Sequence, residues 1–75
     1  MSNISYQQGQ EMIRQILSKY KNNSTKQDLE KRKGMISSIL ISVKNTQGPE
    51  FANGIITLFN LDKPGYGEFK FFKEG

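Results

Sequence analysis

The side chains best suited to do chemistry by contact lie late in the sequence, where Tyr66, Phe69, Phe71 and Phe72 are interleaved with Lys63, Lys70 and Lys73. Aromatic faces stack on unpaired bases and lysines meet phosphates, so this composition is that of a platform for single-stranded nucleic acid. The same residue types also make protein interfaces, with aromatic anchors inside a polar rim. Lys31-Arg32-Lys33 is the densest positive run in the chain. It offers either phosphate contacts or the solvated end of a helix, where cations suit the dipole. The candidate nucleic-acid residues are therefore Lys31, Arg32, Lys33, Lys63, Tyr66, Lys70, Phe72 and Lys73. The candidate protein-binding residues are Leu58, Tyr66, Lys70 and Phe72. Glu68, between Tyr66 and Lys70 on the same face of an expected strand, disfavours a polyanion there and tips the reading toward protein.

Chemistry of other kinds has little to work with. The chain contains neither histidine nor cysteine, which excludes a thiol nucleophile, a histidine-assisted serine and an ordinary zinc site. None of the acids Glu11, Asp28, Glu30, Glu50, Asp62, Glu68 and Glu74 falls into a D-x-D or calcium-loop pattern, and Asp28 and Glu30 do not share a helix face. Gly65-Tyr66-Gly67 lacks the third glycine of a dinucleotide loop and has no helix after it. No enzymatic activity, cofactor or metal is expected.

The elements that position the late aromatics read as a hairpin. Pro64 ahead of Gly65 suits a type II turn. Ile55 to Leu61, rich in β-branched and aromatic residues, and Tyr66 to Lys73 read as the flanking strands. Upstream, residues 4 to 21 carry Met12, Ile13, Ile16, Leu17 and Tyr20 at helical spacing, with Ser5 and Gln8 forming a capping box; this stripe is expected to face the core. Gly9 costs that helix about 1 kcal/mol relative to alanine. After a polar break at Asn22-Asn23-Ser24, Ser24 or Thr25 is expected to cap a short surface helix ending near Gly34. Met35 to Lys44 fits helical spacing through Ile36, Leu40 and Val43, but its four β-branched residues favour a strand. Asn45 to Asn53, with Gln47-Gly48-Pro49, reads as a loop with Phe51 folded back on the core. The expectation is one α+β domain over residues 1–75, an N-terminal amphipathic helix and a short second helix packed on a three-stranded antiparallel meander.

Phe59-Asn60, Lys63, Gly65-Tyr66-Gly67 and Phe69 resemble the F-N-x-x-K-G-Y-G-F stretch of cold-shock domains, which would imply a β-barrel that binds single strands. Pro64 and Glu68 are insertions relative to that stretch, Leu58 stands where the family has a stacking tryptophan, and too few residues follow to close a barrel. No family assignment follows.

At 75 residues and a formal charge of +4, the chain is at the small end of what folds alone, and the charge is modest for a dedicated nucleic-acid binder. Lacking disulfides, a membrane-length apolar run of about 20 residues and an apolar segment after Met1-Ser2-Asn3, it is expected to work in the cytoplasm and away from membranes. Pairing of an exposed strand edge would make a homodimer. The Lys-, Asn- and Ile-rich composition suits an AT-rich bacterium or its phage. The function expected is thus that of a small binding protein, a phage- or plasmid-encoded inhibitor or accessory factor acting on another protein, with single-stranded nucleic-acid binding as the alternative.

Overall fold

The structure, a computed structural model, describes residues 4–21 and 25–73. Among them the chain forms three helices, α1 (Tyr6–Lys19), α2 (Lys26–Gln47) and α3 (Pro49–Leu58), and no strand. The expected α+β fold with its three-stranded meander is therefore corrected to an all-helical one. Asn22-Asn23-Ser24 lies outside the described residues.

The start of α1 is set as its sequence dictates. The Ser5 hydroxyl accepts from the Gln8 N–H while Gln8 Oε1 accepts from the Ser5 N–H, closing the capping box. Gly9 has a packing reason to be there: a Cβ at that position would lie 2.7 Å from Val43 Cγ2 and 3.3 Å from Ile55 Cδ1. The glycine lets α1 lie directly against α2 and α3, and that contact offsets its helix cost.

Thr25 caps α2 by accepting from the Asp28 N–H. The helix does not stop at Gly34; it continues through Met35 to Lys44, the expected strand, and on to Gln47. Ile36, Ile39, Leu40 and Val43 recur on one helical face, and all four are buried. Burial of that stripe, about 1.5–3 kcal/mol per large side chain, outweighs both the β-branched penalties and the roughly 1 kcal/mol of an exposed glycine. The expected loop over Asn45 to Asn53 shrinks to one residue. Gly48, at φ 114°, ends α2 by donating to Lys44 C=O, and Pro49 opens α3 at a position where it needs no N–H partner.

The first expected hairpin strand is instead the second half of α3 and its stop. Asn60 takes a left-handed conformation (φ 55°), its N–H donates to Thr57 C=O, and the Leu61 N–H donates to Ile56 C=O at 2.8 Å. This is a Schellman motif, and the two positions whose apolar contact customarily accompanies it, Ile56 and Leu61, are both fully buried in the core. The Pro-Gly turn does form: the Tyr66 N–H donates to Lys63 C=O, with Gly65 at φ 89°. It joins no hairpin. Residues 59–73 run back over the bundle as an irregular strap, with Phe59, Phe69 and Phe72 packed against the core. Phe72, a candidate binding residue, packs against the core, while its neighbour Phe71 is exposed. Without a sheet there is no two-residue alternation to obey.

Candidate functional site

Among the described residues, clefts open on both sides of α2, and two of them bear on function. The first lies between the start of α2 and the strap, encloses about 360 Å³, and is lined by Lys26, Glu30 and Lys33 over Arg32, with Gly65, Gly67 and Glu68 opposite. Arg32 is buried, 5% exposed. Its Nη1 donates to Tyr20 C=O at 3.0 Å and its Nη2 to Gly65 C=O at 3.1 Å. The guanidinium thus satisfies a carbonyl at the C-terminal end of α1, where a cation is favoured, and ties the strap to it. This removes Arg32 from the expected basic cluster. Lys31 and Lys33 are exposed, but two residues apart on a helix they point about 200° away from each other. Glu30 and Glu68 offset much of the remaining positive charge in the cleft.

The second cleft lies between α1 and α2, encloses about 240 Å³, and is lined by Met12, Gln15, Ile16, Lys19 and Tyr20 with Met35 across from them. Its walls are mostly carbon. Met12 and Met35 are 40% and 39% exposed. Each precedes a fully buried isoleucine, Ile13 and Ile36, so each stands about 100° round its helix from the core position and flanks the seam between the helices. Lys19 Nζ lies 5.6 Å from the centre of the Tyr20 ring at the groove's edge. A more open depression of about 390 Å³ along Gln7, Gln8 and Glu11 adjoins it at Met12. Met12 was expected to belong to the core stripe and Met35 to a strand. The signal that places them is the repeated Met-Ile pair ahead of each helix's buried turn.

The structure does not bring the expected protein-binding residues onto one strand face. Leu58 is exposed on the last turn of α3, Tyr66 is exposed in the Pro-Gly turn, and Lys70 is exposed on the strap. Phe72 is half-buried, with Lys44 Nζ 5.8 Å from its ring centre. Its main chain is held from both sides: the Phe72 N–H donates to Asn53 Oδ1 at 2.7 Å, and Asn53 Nδ2 donates to Phe72 C=O at 2.9 Å. Asn53, buried on α3, is a residue that spacing gave no reason to single out. Among the expected nucleic-acid residues, Lys63 and Lys73 are exposed, and Lys63 stands 3.9 Å from Asp62.

Protein-family models, curated proteins and solved structures give no match to this chain.

Among the described residues no three acidic side chains come together, and no helix is long and apolar enough to cross a membrane. The arrangement offers an apolar, deformable groove and a charged cleft whose central cation is already bonded within the chain.

Proposed function

We propose that this chain is a non-enzymatic binding protein whose target is another protein, taken at the groove between α1 and α2. The observation that carries the reading is the pair Met12 and Met35, each two-fifths exposed on opposite walls of an apolar groove. Methionine is unbranched and polarizable, so such walls re-form around an incoming side chain at low cost. Gln15 and Lys19 border the groove and supply polar contacts where a partner's main chain would pass. The fitting partner is an amphipathic segment with one or two apolar anchors, and the chain's net positive charge favours an acidic one. Such a protein acts by occupying a site on its target, as an inhibitory or accessory factor does.

The test places a photo-crosslinking amino acid at position 12, 35 or 41 in the full chain. Ile41 is an exposed apolar residue of α2 that does not line the groove. Positions 12 and 35 should capture the same protein and position 41 none, and Met12→Glu should abolish capture from position 35. Capture from position 41 alone, or capture indifferent to Met12→Glu, would overturn the assignment of the groove.

A further inference from the structure

We infer that the strap is exchangeable between two copies of this chain, residues 69–73 of one docking on α3 of the other through the same Asn53 clasp.

Two contacts that hold this segment, the Asn53 clasp and the bond from Phe69 N–H to Leu61 C=O at 2.9 Å, are of a kind a second copy can supply unchanged. Asn53 addresses the N–H and C=O of Phe72, the pairing an extended peptide offers along its edge, while Phe69 and Phe72 pack their rings against the core. The rest of the strap is anchored more deeply, since Leu61 is fully buried and Gly65 C=O is bonded to Arg32. The hinge is therefore confined to Tyr66, Gly67 and Glu68.

That hinge is where the backbone is least comfortable. Glu68 has φ 52°, in the left-handed region unfavourable to a residue with a Cβ, and Gly67 has φ 116°. A Cβ on Gly67 would lie 2.5 Å from Phe69 Cε2, so only glycine lets the chain double back so closely. Strain of this kind is held by surrounding contacts and is released when the hinge extends. Opened, the four steps from Gly65 to Phe69 span about 13 Å, enough to reach an adjoining molecule. A reciprocal exchange keeps the Asn53 and aromatic contacts of both copies, remakes the Phe69 N–H to Leu61 C=O bond between them and relieves both hinges; what opposes it is the entropy of association.

The experiment mixes full-length chain labelled with nitrogen-15 and full-length chain labelled with carbon-13 at millimolar concentration. Isotope-filtered NMR then looks for transfer between the Asn53 side-chain amide of one label and Phe72 of the other. Cross-label transfer that vanishes on dilution, together with a dimer mass, is the expected result. Glu68→Gly, which accepts the closed hinge without strain, should weaken dimerisation at least about tenfold. Deleting Gly67 should do the reverse, because the shortened hinge closes more readily between chains than within one. A chain that stays monomeric at millimolar concentration, or a dimer whose Asn53–Phe72 transfer remains within each label, overturns the inference whatever the variants do.

Discussion

The two clefts on α2 differ in what their central side chains already do. In the cleft beneath the strap, the cation best placed to attract an anion donates to Tyr20 and Gly65 carbonyls, and Glu30 and Glu68 stand on its walls. In the groove between α1 and α2, the exposed parts of Met12 and Met35 are left to solvent. A buried arginine bonded to main-chain carbonyls is committed to architecture, whereas half-exposed methionines over a rigid core are available to a partner. Density of charge in the sequence therefore pointed to a cleft whose arginine is committed to architecture, while the groove proposed to bind is flanked by Met12, expected in the core stripe, and Met35, expected in a strand.

Arg32→Ala should have the largest effect on stability, about 3 kcal/mol, because it removes two charge-assisted bonds and leaves their carbonyls poorly satisfied. Arg32→Lys should recover little, since an ammonium does not reproduce the fork that reaches both carbonyls. Chemical denaturation measures the loss, and hydrogen exchange should show residues 65–73 opening first. Next comes Gly9→Ala: the added methyl meets Val43 at the α1 crossing, so a destabilisation of about 1–2 kcal/mol is expected despite alanine's better helix propensity. A neutral or stabilising result in the same denaturation assay would mean that α1 lies less closely on α2 than described.

Glu68→Gly should stabilise the monomer by about 1 kcal/mol by removing left-handed strain, read as a rise in the denaturation midpoint at low protein concentration. Met12→Glu and Met35→Glu should change stability by less than about 0.5 kcal/mol, as expected of exposed positions, while abolishing partner capture. Loss of helicity in either variant, seen by circular dichroism, would move these methionines into the core and remove the groove as a binding surface.

What the sequence shows depends on how far apart the deciding contacts lie. The α1 capping box, the Thr25 cap and the Pro64-Gly65 turn are made by residues within three or four positions of each other, and all three are legible. The strand expected at Met35 to Lys44 fails because local β-propensity lost to a helical stripe whose partners, α1 and α3, come from elsewhere in the chain. Gly48-Pro49 read as a loop because each residue breaks a helix; here one ends α2 and the other starts α3. Asn60-Leu61 carried the Schellman signal, and the β-branched run before it drew the reading toward a strand. Arg32 and Asn53 were not legible as clasps, because their partners lie 12 to 33 residues away.

We propose that the exposed lysines are solvating charge and that the chain binds through the apolar groove. Fluorescence anisotropy of a labelled single-stranded oligonucleotide, titrated with the full chain at low and at physiological salt, tests it most directly. Weak binding at low salt that disappears at physiological salt is predicted, because scattered exposed lysines give only a screened attraction. Micromolar binding that persists at physiological salt, unchanged in Met12→Glu and lost when Lys31 and Lys33 become alanine, would contradict it and return the basic residues to the functional site.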